Sequence, residues 1–316
     1  MNTGSNRNPH RRAAVIDIGT SSVKIIVGEL DESGAVRVLA NLSKVTRLGE
    51  GVDLSHNLAL AAQKRTVSAM GSLLRAIKES KPDSVRLVAT SAVRDAVNRA
   101  EFAALVRSKL GLDLTVLSET EEGHLSFAAV AFDPALGAQG MNMAVVDVGG
   151  GSAEVVIGAE GRAEFAVSAK MGAVRLTERS LHSDPPTPEQ MSDASAVARE
   201  EIARVVGNRR AERVVGVGGT VVNLARVHVG LEPDLTGGVH GLRMSYPEFG
   251  QVVSHLAAQT SEQRRSVVGL DPARADIIVG GGIVVESAMA VLGASELIVS
   301  TRGLRYGVLY ELLGLA

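Results

Sequence analysis

A strand–turn–strand pattern occurs twice in this chain and constrains the fold more than any other feature of the sequence. The first copy covers residues 14–28 and the second covers residues 144–158. In both, an apolar run leads to an aspartate, a glycine follows two residues later, and a second apolar run begins after a serine. The equivalent pairs keep one constant offset: Asp17 and Asp147, Gly19 and Gly149, Ser22 and Ser152, and Gly28 and Gly158. We therefore predict a duplicated domain with a phosphate-binding turn in each half.

The second copy contains residues that could bind both a phosphate and a metal ion. Three consecutive glycines, Gly149–Gly151, follow the aspartate, and such a run lets the backbone turn sharply and leaves N–H groups uncovered. Uncovered N–H groups can hold a phosphate. Asp147 and Glu154 flank the turn, and two carboxylates can hold a hard divalent cation beside that phosphate. A plain glycine-rich hairpin would look similar, but the repeat in the first half favours a phosphate loop.

Composition excludes several functional classes. The 316 residues are 45% hydrophobic and 22% charged, which is typical of a soluble protein with two folded domains. The formal net charge of −2 provides no basic field for nucleic acid. The absence of cysteine excludes disulfides and thiolate metal sites. The longest apolar run, Ile277–Val285, is too short to span a membrane, and the first residues lack a signal peptide, so we expect a cytoplasmic protein.

Several individual elements have clear boundaries in the sequence. Helical spacing of apolar residues predicts a helix over about 57–80, and a second helix over 98–110 ends at Gly111. In the second half we predict strands at 143–148, 153–158 and 163–168. A proline-rich loop follows these strands and leads to a helix at 188–206.

The order of these strands and helices indicates the fold class. They alternate in each half, which is typical of two α/β domains. A three-stranded meander followed by crossover helices matches the ribonuclease H-like fold, and two such domains flanking a central cleft form the architecture of the actin-like ATPase superfamily. Residues 133–142 are the predicted hinge. We predict a disordered lead at 1–12, an N-terminal domain at 13–135, a C-terminal domain at 136–300, and a closing helix at 301–316 that packs back on the N-terminal domain.

Further motifs extend the pattern along the chain from Ala13 onwards. They read Ala89-Thr-Ser-Ala-Val-Arg94, Ser118-Glu-Thr-Glu-Glu122-Gly, Lys170-Met-Gly-Ala-Val-Arg175, Val217-Gly-Gly-Thr220 and Arg302-Gly-Leu-Arg305-Tyr-Gly-Val-Leu-Tyr310. Together with the two turns, they resemble the exopolyphosphatase/guanosine pentaphosphate phosphohydrolase family in its short, two-domain form. The resemblance implies Mg²⁺-dependent hydrolysis of the terminal phosphoanhydride of inorganic polyphosphate, which releases orthophosphate one unit at a time.

The resemblance also implies roles for individual residues. Glu122 matches the catalytic glutamate, Glu121 stands beside it, and Arg94 matches a phosphate-contacting arginine. Asp147 and Glu154 match acidic residues at the metal and the attacking water. The phosphate-binding residues are expected in three turns: Asp17, Gly19, Thr20, Ser21 and Ser22; Gly149, Gly150, Gly151 and Ser152; and Gly218, Gly219 and Thr220.

The proposed chemistry explains why these residue types are needed. An in-line water hydrolyses a phosphoanhydride, so the protein must supply positioning, charge neutralisation and a base. A simpler interpretation exists for the two glutamates. Glu121 and Glu122 lie in the first turn of a helix that opens with a capping box at Ser118, where carboxylates are favoured by the helix dipole. Spacing alone favours a cap, whereas the family resemblance favours a base at Glu122.

Other functions stay open at this point. The same chemistry on guanosine pentaphosphate would make the chain a guanosine pentaphosphate 5'-phosphohydrolase. A nucleotide-binding switch would bind nucleotide tightly and release little phosphate. A sugar-kinase-like phosphotransferase would need an acidic base and a second substrate pocket, for which the sequence has no motif. Oligomeric state is also open, with a homodimer as one arrangement.

The chain departs from the family at three places. Thr20-Ser21-Ser22 stands where many relatives have Ser-Asn-Ser, so a side-chain amide contact is absent. Thr301-Arg302-Gly303 replaces a more usual Asp-Gly-Ala. The chain ends at Ala316, whereas longer relatives continue into an added helical domain. We therefore expect short-chain polyphosphate to be the preferred substrate.

Overall fold

The chain divides into two compact units that are not continuous in sequence. The computed structural model describes residues 10–32, 35–136, 142–211, 213–232 and 238–315. Unit 1 combines Met1–Leu117 with Arg305–Ala316, and unit 2 is Ser118–Leu304. The division between the units therefore lies at Leu117 rather than at the predicted residue 135, and much of the predicted hinge at 133–142 lies outside the described residues.

Eleven strands and twelve α-helices are assigned in the described residues. The strands are β1 (Arg12–Ile18), β2 (Ser22–Leu30), β3 (Val36–Val45), β4 (Ser84–Ala89), β5 (Leu114–Val116), β6 (Met143–Val148), β7 (Ala153–Ala159), β8 (Arg162–Ala169), β9 (Arg213–Val217), β10 (Arg243–Ser245) and β11 (Glu296–Val299). The helices are α1 (Val52–Ser55), α2 (Leu60–Ala76), α3 (Ser91–Asp95), α4 (Arg99–Leu110), α5 (Glu119–Ala131), α6 (Ala173–Ser180), α7 (Pro188–Val206), α8 (Gly218–Val229), α9 (Tyr246–Ala257), α10 (Ser261–Arg264), α11 (Ile278–Leu292) and α12 (Leu304–Leu313).

The two sheets repeat one plan, which confirms the predicted duplication and the fold class. Unit 1 has the strand order β3-β2-β1-β4-β5, and unit 2 has β10-β11-β9-β6-β7-β8. In each unit the first three strands form an antiparallel meander, and the next strand runs parallel to the first. Bulges interrupt the pairing at equivalent places, Val27/Gly28 and Ile157/Gly158. Both units thus have the ribonuclease H-like strand order.

Helix α5 belongs to unit 2 because it packs on one face of that unit's sheet. Its Phe127 and Val130 are buried with Val145 and Val156 of the sheet. The alternate residues of the same strands, such as Val146, point to the opposite face and join the larger core that α7, α8, α9 and α11 cover. The meander and its α5 cover are therefore one structural body, and this explains the position of the division.

Helix α12 groups with unit 1, the domain on which the closing helix was expected to pack. Glu311 Oε2 accepts a hydrogen bond from Arg86 Nη1 at 2.7 Å. A Cβ atom at Gly28 would lie 2.7 Å from the Leu309 side chain, so the helix needs a glycine beneath it. No helix in the described residues has the length and apolar character needed to cross a membrane.

The beginning of the chain differs from the prediction. Residues 1–9 lie outside the described residues. His10 N donates to Leu30 O at 3.1 Å, Leu30 N donates to Arg11 O at 3.2 Å, and β1 begins at Arg12. The predicted disordered lead at 1–12 is therefore too long, because its last residues extend the pairing of β1 with β2.

Candidate active site

Two carboxylates face each other on the sheet of unit 2. Asp147 on β6 pairs directly with Glu154 on β7, so both side chains project from the same face. Glu154 pairs in turn with Ser168 on β8, whose Oγ donates to Glu154 Oε1 at 3.0 Å. Glu154 is only 2% exposed. Like charges directly opposite each other destabilise a sheet, so this pair is suited to a bound cation.

Helix α5 brings Glu122 to the same face. Ser126 Oγ donates to Asp147 Oδ2 at 3.2 Å, and Glu122 precedes Ser126 by one helical turn on the same side of the helix. Glu122 is buried. The close approach depends on Gly123, where a Cβ atom would lie 2.8 Å from Val156 Cγ2. The structure therefore gathers Glu122, Asp147 and Glu154 within unit 2.

Glu121 has a different environment, and its predicted catalytic role is not supported. Its side chain accepts hydrogen bonds from the backbone N of Ser118 at 2.8 Å and from Ser118 Oγ at 2.7 Å, while Ser118 Oγ accepts from Glu121 N. This is the capping box of α5. Hydrogen bonds from Ser118 lower the pKa of the exposed Glu121 carboxyl. The Glu121 side chain caps the start of α5, whereas Glu122 faces the sheet.

Hydrogen bonds to the carbonyl groups of the second glycine turn, Gly149–Ser152, hold this turn in place. Gly149 N donates to Ser152 O at 2.9 Å and closes the turn. Gly149 O accepts from Ala173 N, and Gly150 O accepts from the next two N–H groups of α6. Gly172 must be a glycine because a Cβ there would overlap Gly150. Since α6 already occupies these carbonyls, the turn offers N–H groups to a ligand, and an anion is the ligand that suits them.

The first turn is built in the same way within unit 1. Gly19 N donates to Ser22 O at 3.0 Å. Thr20 O accepts from Gly49 N at 2.9 Å, and Ser21 O accepts from two successive N–H groups of the segment that follows β3. The two predicted phosphate loops thus share one backbone design, in which neighbouring N–H groups satisfy the loop carbonyls.

The two turns differ in the charge opposite the aspartate. The offset that relates Asp17 to Asp147 also relates Lys24 to Glu154, so a lysine faces Asp17 on the paired strand. Burial raises the pKa of the Asp17 carboxyl, although Lys24 and Arg305 each act to lower it. Unit 1 therefore supplies cationic side chains of its own, whereas unit 2 has a second carboxylate at the equivalent place.

The third predicted turn, at Gly218, lies against Asp147. Gly218 has φ +86°, and a Cβ there would also lie 2.5 Å from Asp147 Oδ1, so only glycine fits. The turn opens α8, and no side chain of the described residues caps the N-terminus of this helix. Thr220 Oγ1 is buried and donates to Val148 O at 3.3 Å, so its hydroxyl braces the turn. The N-terminus of a helix attracts anions.

A cation that was not predicted from the sequence lies at this turn. The guanidinium of Arg274 lies so close to Gly219 that a Cβ atom there would overlap it. Burial lowers the pKa of Arg274, and the charge of Asp271 acts in the opposite direction. A cation beside the positive end of α8 is suited to an anionic ligand. Asp271-Pro272 is a signal in the sequence for the start of a helix. It does not indicate that Arg274 lies beside Gly219.

Arg94 lies in unit 1, near the first turn. Its Nη1 donates to Leu117 O at 3.1 Å, at the last residue before unit 2 begins. A Cβ at Gly49 would touch both Thr20 and Ala92, so α3 and the first turn are close neighbours. The predicted site residues therefore form two groups. One contains Asp17, the first turn and Arg94 in unit 1, and the other contains Glu122, Asp147, Glu154 and two turns in unit 2.

The acidic pair fits a magnesium ion whose other ligands come from water and from the phosphates of the substrate. The described residues contain no cluster of three or more His, Cys, Asp or Glu side chains suited to a metal. Mg²⁺ in phosphate-transfer sites is usually held by one or two carboxylates together with waters and substrate phosphates. Asp147 and Glu154 match that number and type of ligand.

Comparison with known proteins gives one consistent family. A sequence model of the Ppx/GppA phosphatase family matches residues 25–316. Exopolyphosphatase 2 of Mycobacterium tuberculosis is 35% identical, over 96% of this chain and 99% of the relative. Exopolyphosphatase 1 of Mycobacterium leprae is 27% identical, over 96% of this chain and 89% of the relative. The crystal structure of the Aquifex aeolicus Ppx/GppA family member has a TM-score of 0.82 at 30% identity, covering 97% of this chain and 99% of that one.

Proposed function

The chain belongs to the Ppx/GppA phosphatase family, and from this premise we propose that it is an exopolyphosphatase. It hydrolyses the terminal phosphoanhydride of inorganic polyphosphate and releases orthophosphate. The observation that carries the proposal is the like-charged pair Asp147 and Glu154, which lies on the sheet face covered by the Glu122 helix. A base beside a cation site is the arrangement that hydrolysis by water requires.

Glu122 is the general base or the carboxylate that orients the attacking water. It is buried on the sheet side of α5, one turn from the serine that donates to Asp147. A positioned base accepts a proton from water as the phosphorus–oxygen bond forms. Its neighbour Glu121 cannot share this role while its carboxylate closes the helix cap.

The remaining residues neutralise the phosphate. Mg²⁺ would be held by Asp147 and Glu154, and when bound it offsets the charge of the phosphate oxygens. The N–H groups of the Gly149–Ser152 turn and the N-terminus of α8 contribute fixed positive dipoles, and Arg274 adds a full charge. We assign phosphate contacts in unit 1 to the first turn and Arg94.

Guanosine pentaphosphate is the second candidate substrate because it carries the same terminal linkage. Membership of the Ppx/GppA phosphatase family does not distinguish the two substrates. The names of the M. tuberculosis and M. leprae relatives favour polyphosphate.

The test is orthophosphate release in the presence of Mg²⁺ from tripolyphosphate, longer polyphosphate, guanosine pentaphosphate and ATP in parallel. An Asp147→Asn variant purified in the same way controls for contaminating phosphatases. We expect polyphosphate to give the highest kcat/KM and the variant to be much less active than wild type at the same Mg²⁺ concentration. Release from guanosine pentaphosphate alone would assign the second activity, and equal rates for wild type and variant would overturn the proposal.

A further inference from the structure

The segment Ser300–Gly303 borders Asp147. A Cβ atom at Gly303 would lie 3.7 Å from Asp147 Oδ2 and 3.5 Å from Val217 Cβ. Ser300 N donates to Gly216 O at 2.8 Å, so the segment continues along β9 towards the carboxylate. Ser126, Gly218 and this segment all lie beside the Asp147 carboxylate. The first two stand on helices, whereas the segment has no regular structure of its own.

His240 contacts this segment at Thr301. Its Nδ1 accepts a hydrogen bond from Thr301 N at 3.2 Å and lies 3.3 Å from Thr301 Oγ1. Because Nδ1 is the acceptor, we assign the proton of the neutral ring to Nε2. Nε2 lies 3.1 Å from Oδ2 of Asp133. Both atoms are buried, and in the part of the chain that the structure describes neither makes a hydrogen bond, so their 3.1 Å approach is a polar contact without hydrogen-bond alignment.

Asp133 holds the same segment at a second point. Its side chain is fully buried just after α5, where Oδ1 accepts from Ala135 N at 3.1 Å. Oδ1 also lies 3.2 Å from Arg302 Nη1. Burial acts to raise the pKa of Asp133, but the polar contact with His240 and the charge of Arg302 outweigh it and lower the pKa. A buried carboxylate that stays ionised requires such partners.

We propose that Asp133 and His240 are positioning residues, which hold the segment Ser300–Gly303 against Asp147 without touching substrate. They fix Thr301 and Arg302, and these two residues fix where Gly303 meets the carboxylate. Releasing Thr301 lets the segment move and widens the surroundings of Asp147. The effect on turnover rests on the proposed function, whereas the anchoring of Thr301 does not.

Two isosteric substitutions at His240 separate the two contacts. The side-chain oxygen of Asn falls near the position of Nδ1, so His240→Asn keeps an acceptor for Thr301 N. The side-chain nitrogen of Gln falls near Nε2, so His240→Gln keeps a donor for Asp133 and loses the acceptor. The readouts are hydrogen exchange at the Thr301 amide, Mn²⁺ affinity by electron paramagnetic resonance, and kcat and KM with tripolyphosphate. Thermal unfolding of both variants checks that they are folded.

We expect His240→Gln to speed exchange at Thr301, to weaken Mn²⁺ binding and to lower kcat about tenfold with a smaller change in KM. Small misplacements at an active site can lower rates by up to about 100-fold. His240→Asn should stay close to wild type in all three measurements. The contrast between two polar replacements of one residue is not expected from a purely structural role.

Three results would decide against the inference or separate it from the proposed function. Unchanged Thr301 exchange in His240→Gln would show that the ring does not anchor the segment. Faster exchange with unchanged Mn²⁺ affinity, kcat and KM would show that the segment does not position Asp147. If the wild-type protein releases no phosphate from any substrate, the proposed function fails. Thr301 exchange and Mn²⁺ affinity then decide the inference alone, and unchanged Mn²⁺ affinity overturns it.

Discussion

At the scale of single residues, two neighbouring glutamates have opposite environments. Glu121 is exposed and hydrogen-bonded to Ser118, whereas Glu122 is buried towards the sheet. A pattern of residue types cannot separate them, because both carboxylates suit the first turn of a helix. Their side-chain directions differ because successive residues of a helix point to different sides. This difference makes a matched pair of variants possible.

We predict that Glu122→Gln lowers kcat by about 10²–10⁴-fold, because Gln keeps the size of the side chain and removes its basicity. Glu121→Gln should leave kcat near the wild-type value, since Gln can also complete a capping box. Steady-state phosphate release from both variants measures the contrast. An inactive Glu121→Gln enzyme together with an active Glu122→Gln enzyme would reverse the assignment.

The carboxylate of Glu29 contributes to the stability of unit 1 in a pH-dependent way. Glu29 is buried between Arg12 and Arg37, and hydrogen bonds from Arg37 and then Arg12 lower its pKa from 4.5 to about 2. Because the folded value lies below the ordinary value, the ionised form stabilises the fold at pH above 4.5. That contribution is lost progressively as pH falls from 4.5 towards about 2.

We therefore predict that Glu29→Gln lowers the melting temperature at neutral pH and that the gap from wild type closes as pH falls below 4.5. Thermal unfolding of both proteins over a series of pH values measures the gap. Glu79→Gln, at an exposed carboxylate, is the control and should change stability little at any pH. A gap that stays constant down to pH 3 would contradict the pKa shift.

At the scale of elements, the position of Glu122, the proposed catalytic carboxylate, depends on a close contact of α5 with the sheet. Gly123→Ala adds a Cβ that would lie 2.8 Å from Val156 Cγ2, so the helix must move off the sheet. We predict a loss of about 1–3 kcal/mol in unfolding free energy and a lower kcat, because Glu122 moves with the helix. Denaturant unfolding and phosphate release measure the two effects.

Gly71 is the matched control, because it also lies inside a helix. A Cβ there would meet only side-chain atoms, 3.6 Å from Arg75 Nη1 and 3.7 Å from Leu110 Cδ2. Gly71→Ala should stabilise the protein by about 1 kcal/mol through helix propensity and leave kcat unchanged. Equal effects of the two substitutions would show that the α5 contact does not matter.

The elements also show how far the sequence alone predicts the fold. Helix α7 was predicted with its correct bounds, because Thr187 caps its start, Pro188 follows, and Gly207 ends it. Helix α6 was wrongly predicted as part of a proline-rich loop. Its first N–H groups bond to the Gly149 and Gly150 carbonyls, and this contact between distant residues leaves no local pattern. Short elements such as α3 and β10 contain too few residues for a period to be visible.

The same reason explains which residues of the candidate site the sequence can indicate. Asp147 and Glu154 follow from the repeated turn, and Glu122 follows from the family motif. Arg274 could not be predicted because it reaches Gly219 only through the fold of the chain between α8 and α11. Helix α5 was assigned to the wrong domain because its apolar residues do not reveal which sheet they will cover.

At the scale of the whole molecule, the two units are copies that have diverged in charge. Lys24 faces Asp17, whereas Glu154 faces Asp147. We predict that Asp147→Asn and Glu154→Gln raise the Mg²⁺ concentration for half-maximal activity by about 10–100-fold or more. Asp17→Asn should shift it little, because Asp17 already has Lys24 and Arg305 as cationic neighbours. Mg²⁺ titrations of residual activity compare the three variants. The same shift in all three would contradict this division of roles.

The overall charge also predicts a limit on substrate length. The net charge of −2 gives no overall attraction for distant phosphates, and charges beyond about 10 Å are screened at ordinary ionic strength. We predict that kcat/KM per chain end stops rising once a short polyphosphate fills the site, and that partly shortened chains are released between cleavages. Measurements over increasing chain length test this. A continued rise without released intermediates would show an extended binding surface.

Unit 1 is assembled from residues up to Leu117 and from Arg305 onwards, and this has a consequence for biosynthesis. Domains generally fold as units while the chain leaves the ribosome. Here the residues of β2 and β4 emerge early, but Leu309 and Glu311, which contact Gly28 and Arg86, are synthesised only after unit 2. All of unit 2 is synthesised in between. The unit whose synthesis begins first is thus the last to be completed, and until then the nascent chain exposes the surface that α12 will cover.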